Sequence, residues 1–473
     1  MLIGDAGESA RGLDARRKRN GCLWGSLLVG AGKAAVNALS RRFAKLDTLR
    51  TRASVLDCVR PSAVFGGQRQ SWTERPISTF AGPGAKLRSM TSTEKLLAEL
   101  IEMPSVNPGF APAGVAAARP TFRHGRYGEK NVADFLAAKA AQSGLDIEFQ
   151  EVLPDRSNFI ARLLPKNKIK QTILLAPHLD TVDAPDALFV PKRKNGRLYG
   201  RGACDTKGSV AALLMALCEL AASKSRPRAM QIVFAGLVDE EYAQAGSRAL
   251  AASGFAAELA IVGEPTRLQV VTAHKGSLWL EMETRGKAAH GSTPQLGKNA
   301  VHAMAGVVDL LESDYAARLR RRKHRLLGPA TVNVGQIAGG TQPNIVPAAC
   351  VITVDRRTLP GETDASVCRE LAGLLRKKHL RAKIRNFKLV PAPAMETSPR
   401  LPLVRQFFAS VGQTRPAGVD YFCDAAVLSA GGIPAVVFGP GDIAQAHTAD
   451  EWISLAQLER AKNLLLTFLK SLS

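Results

Sequence analysis

The 473-residue chain has no run of about 18 consecutive apolar residues, so no membrane span is expected. It has no CxxC pair either. Its seven cysteines (Cys22, Cys58, Cys204, Cys218, Cys350, Cys368 and Cys423) are odd in number and scattered. That argues against a disulfide framework and fits a reducing, cytoplasmic location. No internal repeat is visible. No groove-reading motif and no aromatic–basic interleaving accompany the net charge of +23, so nucleic acid is not an expected partner. Acidic residues are scarce near the start. Residues 1–89 carry 16 basic against 6 acidic side chains and so supply +10 of the total. The remaining excess suits an anionic small substrate or simply a basic proteome.

The first ninety residues contain ARRKRNGCLWGSLLVGAG, a basic stretch before a short apolar run, as in a secretory signal. No small-residue cleavage pattern follows it, and acidic residues sit upstream. Ser40-Arg41-Arg42-Phe43 echoes a twin-arginine signal without the apolar region such a signal needs. Residues 1–89 are therefore expected to be a poorly ordered basic extension. A second start is expected at Met90, where a Thr/Ser cap precedes Leu96, Leu97, Leu100 and Ile101 at helical spacing.

From there, strand-like runs alternate with helical ones, which predicts an α/β catalytic domain with a mixed, mostly parallel sheet. At Lys275 the texture changes to alternating apolar and polar residues. The order becomes strand–helix–strand–strand–helix–strand, the ferredoxin-like pattern. The expected organisation is a catalytic domain over 90–274 and 390–473, with an inserted α+β domain over 275–389.

The chemistry concentrates between Leu174 and Glu264. Apolar runs there end on His178 and Asp180, on Glu240 and Glu241, and on Glu264; a Gly-rich loop carries Asp205. Open α/β sheets bind ligands at the carboxyl ends of their strands. The HxD spacing makes His178 a candidate ligand and Asp180 its orienting carboxylate. Asp205, crowded by Gly200, Gly202 and Gly208, has two oxygens and is read as a bridge between two ions. Glu240 and Glu241 are adjacent acids that should repel. Two nearby dications would relieve that penalty, with one acid as ligand and the other as general base. His447 follows an apolar run and a Gly-Pro-Gly turn, the same construction. Two imidazoles and three carboxylates without thiolate suit Zn²⁺ or Co²⁺, with Mn²⁺ possible.

PHLDTV, GRGACDTKGSVAALL, VDEE, VGEPT and QAHTADEW together resemble the M20 family of metallohydrolases. The acetylornithine deacetylase and succinyl-diaminopimelate desuccinylase branch is the most similar. The resemblance covers about residues 90–473. It implies that His178 and Glu264 hold one metal, Glu241 and His447 the other, with Asp205 bridging. It also implies that Glu240 is the general base, Asp180 the orienter, and the insert a lid and dimerisation domain. His290 matches a histidine that reaches across a homodimer to the tetrahedral oxyanion. Asn344 and Arg357 match positions that bind the substrate's carboxylate or carbonyl. The segment FCDAAVL departs from the family, with Cys423 where Ser or Thr is expected before the acid Asp424.

The expected activity is hydrolysis of an amide bond in a small N-acyl amino acid or dipeptide, foremost as an acetylornithine deacetylase. Desuccinylase, aminoacylase and glutamate-type carboxypeptidase are the alternatives. A catalytically silent binding protein on the same fold would have lost a ligand or the base, and every such position is present.

Overall fold

The runs TILLAP, QIVFAG and LAIVG are short, apolar and rich in β-branched residues, which suits strands covered on both faces. In the computed structural model they lie side by side. The structure describes residues 90–111, 125–388 and 390–472. The basic extension expected over 1–89 lies outside the described residues.

The catalytic portion begins with α1 (Ser92–Glu102), capped by the Thr91 hydroxyl, which accepts from the Glu94 N–H at 3.1 Å. Next come α2 (Lys130–Gln142), β1 (Asp146–Leu153), β2 (Arg156–Leu163) and β3 (Gln171–Pro177). After them run α3 (Lys207–Ala222), β4 (Met230–Gly236), α4 (Ala245–Ala252), β5 (Leu259–Gly263) and β6 (Val271–His274). The inserted portion comprises β7 (Gly276–Arg285), α5 (Ala300–Leu310), β8 (Thr331–Gly339), β9 (Ala349–Thr358), α6 (Asp364–Lys377) and β10 (Lys383–Asn386). The chain then returns through β11 (Met395–Glu396), α7 (Pro402–Val411), β12 (Ala417–Val419), α8 (Asp424–Ala430), β13 (Ala435–Val437) and α9 (Leu455–Lys470).

The large sheet has nine strands, in the order β1-β2-β4-β3-β5-β13-β6-β11, with β12 paired to β6. Its centre, β4-β3-β5-β13, is parallel. Its flanks are largely antiparallel, so the sheet is mixed and its parallel character sits where the site is built. One face packs on α3 and α9, with Leu214, Leu217, Ile173, Phe234 and Leu465 in the core. The other packs on α4 and α8 through Leu250, Ala425 and Leu428. In α3, every residue except Glu219 and Ala222 is buried, because helices cover its outer side as well.

The insert forms a separate four-stranded antiparallel sheet in the order β8-β9-β7-β10. Strand β9 buries alternate residues, Cys350, Ile352 and Val354, against α5 and α6. The ferredoxin-like expectation is met. The outermost strand, β8, leaves one edge open and Ile337 largely exposed.

Phe407 of α7 joins the last helix to the sheet. Its ring centroid is 5.1 Å from that of Phe438 and 4.6 Å from that of Phe468, and it is fully buried. Phe407→Ala should lower the unfolding free energy by about 3–5 kcal/mol in urea titrations. A loss below about 1 kcal/mol would mean that this packing does not hold α9 in place.

Candidate metal centre

Parallel strands share one carboxyl edge, and each turn leaving it starts at the same level. His178 directly follows β3, where Leu237 N–H donates to the Pro177 carbonyl at 2.9 Å and Leu179 N–H to the Leu237 carbonyl at 2.8 Å. Glu264 directly follows β5, and His447 lies in the segment after β13. The apolar run that ends on Glu240 and Glu241 was expected to be strand up to the two acids. Strand β4 stops at Gly236, and the two acids stand on a turn. The strand period therefore does not govern their directions.

These side chains converge on Asp205. Its Oδ1 lies 3.1 Å from His178 Nε2, and its Oδ2 lies 3.3 Å from His447 Nε2. Glu264 Oε1 is 3.8 Å from the same His178 nitrogen, and Glu241 is 3.2 Å from the same His447 nitrogen. Two donor groups result: His178, Asp205 and Glu264, and Asp205, Glu241 and His447. Within each group the ligand atoms lie within 4.8 Å of one another. All are nitrogen and oxygen donors, so the set fits a pair of borderline dications such as Zn²⁺ or Co²⁺ sharing one carboxylate. Cys204 is next in sequence, but burial pushes its thiol up and it stays protonated.

Burial and mutual repulsion set the electrostatics of the cluster. Burial drives the carboxyls of Glu240 and Glu264 well above their ordinary range, and neighbouring acids add to that push. Burial, with Asp205 beside it, raises Glu241 to about 7. Burial opposes charge on His178 and on Asp205. Their mutual contact, with Asp180 and His447, outweighs it, raising the imidazole and lowering the carboxyl. Hydrogen bonds to Asp205 and Glu241 raise His447 to about 10. Without cations, imidazole and carboxyl protons are the charge compensation available to so dense a group of acids.

Asp180 was assigned the orienting of His178. Its backbone carbonyl is the nearer partner of His178 Nδ1, at 3.0 Å, with its side chain at 3.4 Å. The Asp180 carboxylate has a further job. It accepts the N–H groups of both Glu240 and Glu241 at 3.1 Å and Asn107 Nδ2 at 2.7 Å. Asn107 also donates to Asp239 Oδ1 at 3.0 Å. Arg156 joins Asp239 at 2.9 Å to buried Glu129, whose Oε2 takes its Nε at 2.7 Å. This buried network fixes the acidic turn. It was not apparent in the sequence, because Asn107, Glu129 and Arg156 come from segments without a motif.

Glu451 stands inside QAHTADEW, yet its role was not apparent there either. Its carboxylate accepts the N–H groups of Gly202, Cys204 and Asp205 at 3.0, 2.8 and 3.0 Å, and Arg201 Nη1 at 2.6 Å. It shapes the loop that presents Asp205. The glycines here serve the loop's own path rather than the approach to a metal. Gly202 has φ +81°, and a Cβ on Gly208 would meet the Ala203 carbonyl oxygen at 2.5 Å.

Above the cluster opens a cavity of about 590 Å³. Asp205, Glu240, Glu241, Glu264 and His447 line it, and Tyr242, Trp279, Phe387, Tyr421 and Phe422 form much of the rest of its wall. His290, Asn344 and Arg357 do not line it. His290 is exposed with Nδ1 2.7 Å from Ser292 Oγ, and Asn344 is exposed with its carbonyl accepting Gly291 N–H at 2.7 Å. Arg357 donates to Asp355 at 3.0 Å.

The model of peptidase family M20/M25/M40 matches residues 174–471. An acetylornithine deacetylase of Myxococcus xanthus is 34% identical over 349 residues, spanning 70% of this chain and 89% of that protein. A peptidase M20 domain-containing protein of Schizosaccharomyces pombe is 31% identical over 348 residues, spanning 71% and 78%. Among solved structures, the aminopeptidase PepT of Bacillus cereus superposes with a TM-score of 0.64 at 21% identity, over 80% of this chain and 98% of that one. A dinuclear metal-binding M20 peptidase of Bacillus subtilis gives 0.58 at 14% identity, over 80% and 97%.

Metal uptake should release protons. With His447 raised to about 10 and Glu241 to about 7, both carry protons at or near neutral pH that a cation must displace. Apparent affinity should therefore rise between pH 6 and 8, by about tenfold per unit for each proton released. Calorimetry in buffers of different ionisation heat checks this; uptake independent of pH and buffer would contradict it.

Proposed function

The chain belongs to peptidase family M20/M25/M40, and from that premise we propose that it is a dinuclear zinc hydrolase of an amide bond in a small N-acyl amino acid. The carrying observation is that two donor groups share Asp205 at the floor of a cavity that Glu240 also lines. His178 and Glu264 would hold one ion, Glu241 and His447 the other, with Co²⁺ a possible substitute for Zn²⁺. Such a pair, when bound, acidifies water and polarises a carbonyl.

The protein's own groups do the remaining work. Glu240 takes a proton from the attacking water and returns it to the departing amine, as a general base and then a general acid. Asp180, by holding the N–H groups of Glu240 and Glu241, keeps base and ligand in register. Aromatic side chains form much of the wall around the reacting centre.

The inserted domain would serve as lid and as dimerisation surface. Its open β8 edge, with Ile337 exposed, supports docking of a second copy. His290 and Asn344 would then act on the neighbouring cavity, since neither lines the cavity of its own chain.

N-acetylornithine is the leading substrate, by likeness to the named relatives. A second reading, an acylase for apolar N-acyl amino acids, is favoured by the wall itself. The acids among its lining residues are the four of the cluster, so none is spare for a cationic side chain. The described cysteines are unpaired, which agrees with a cytoplasmic location. Among the described residues, no helix is long and apolar enough to cross a membrane.

Side-by-side assay of N-acetylornithine, N-succinyl-diaminopimelate and N-acetylmethionine on metal-loaded protein tests the reading, and no hydrolysis of any of them would refute it. Glu240→Gln should keep its metal and lose about 10²–10⁴-fold in kcat. Activity close to wild type in that variant would remove Glu240 from the role of base.

A further inference from the structure

The cavity wall contains one charged side chain that the chemistry above does not use, Lys388. Lys388 lies two residues beyond β10, where Phe387 N–H donates to the Trp279 carbonyl at 3.2 Å and Lys388 N–H to Asn386 Oδ1 at 3.0 Å. These bonds aim the lysine at the cavity it lines. Its Nζ sits 4.1 Å from the ring centroid of Phe422 and 5.1 Å from that of Trp279. The ammonium is thus held between a ring of the inserted domain and a ring of the catalytic domain. Among the described residues, this Nζ is buried and has no hydrogen-bond partner.

A buried ammonium without an acceptor is costly, because three donors have lost water. Two aromatic faces offset part of that loss. They cannot replace an anion, since a ring accepts no charge-assisted hydrogen bond. Burial, with Arg357 close by, pulls the lysine down to about 8, which still leaves it mainly charged at neutral pH. Lys388 and Glu240 line the same cavity, so the lysine faces the reacting centre.

We propose that Lys388 receives the free carboxylate of the substrate, within the same subunit that cleaves it. The proposal rests on the reading of the site as an N-acyl amino acid hydrolase and adds the residue that selects for the acid. An incoming carboxylate supplies the missing acceptor, and the two rings exclude the water that would screen the pair. Arg357, the other cation considered for this task, is engaged with Asp355 and does not line the cavity. The cation also gives the enzyme a reason to prefer a free acid over its amide, which has the same shape and no charge.

The test uses full-length, metal-loaded protein in two arms. In the first, N-acetylmethionine and its carboxamide are titrated calorimetrically into Glu240→Gln protein with and without Lys388→Met. The single variant should bind the acid more tightly than the amide by about 10- to 100-fold, and the double variant should bind both alike. In the second arm, Lys388→Met in the active enzyme should raise KM for the acid by a similar factor and change kcat far less. Lys388→Arg should restore most of the preference. A lysine that merely props the cavity would affect acid and amide equally. Retained preference for the acid in Lys388→Met would overturn the proposal. Binding discrimination that follows Lys388, in a wild-type protein that hydrolyses none of N-acetylornithine, N-succinyl-diaminopimelate and N-acetylmethionine, would uphold the carboxylate contact and refute the hydrolase reading alone.

Discussion

The Asp205 carboxylate is the point on which the site turns. Its two oxygens face two imidazoles, one delivered after β3 and one after β13. Around it stand Glu240, Glu241 and Glu264, acids that repel one another and whose proton affinity burial raises. So many carboxyls at one sheet edge are costly in isolation and favourable around two dications. The parallel centre of the sheet exists at this edge because its strands can be covered on both faces by α3, α9, α4 and α8.

The acids stay in place because a second layer of buried polar groups holds their backbone. Glu451 gathers three N–H groups of the Asp205 loop, and Asp180 gathers those of Glu240 and Glu241. Asn107, Arg156, Glu129 and Asp239 close the network behind them. Such supports orient metal ligands and tune their basicity, and they bind backbone through carboxylates where neutral side chains would bind more weakly. The inserted domain contributes Trp279, Phe387 and Lys388 to the opposite wall, so both parts of the chain shape the cavity.

The sequence made the donors legible and left their surroundings hidden. His178 and Glu264 each end an apolar run and His447 follows one through a Gly-Pro-Gly turn, and parallel strands bring such residues to one edge. The ferredoxin-like order of the insert was legible for the same reason, as alternation in β7 and β9. The turn under Glu240 and Glu241 was read as strand, because apolar pattern runs through Val238 while the ladder stops at Gly236. Glu451, Arg156 and Lys388 were not legible in their roles. Each reaches a partner more than eighty residues away or across a domain boundary, and even within a motif, as for Glu451, spacing along the chain does not show which distant group a side chain holds. Asn344 and Arg357 show the converse: a motif match identifies position, while the contacts within one chain are with Gly291 and Asp355.

The most direct test counts ions. Native mass spectrometry of zinc-loaded protein should find two Zn²⁺ per wild-type chain. Asp205→Ala, which removes the carboxylate common to both donor groups, should hold no more than one. A single ion in the wild type, or two retained by Asp205→Ala, would contradict the shared-carboxylate centre.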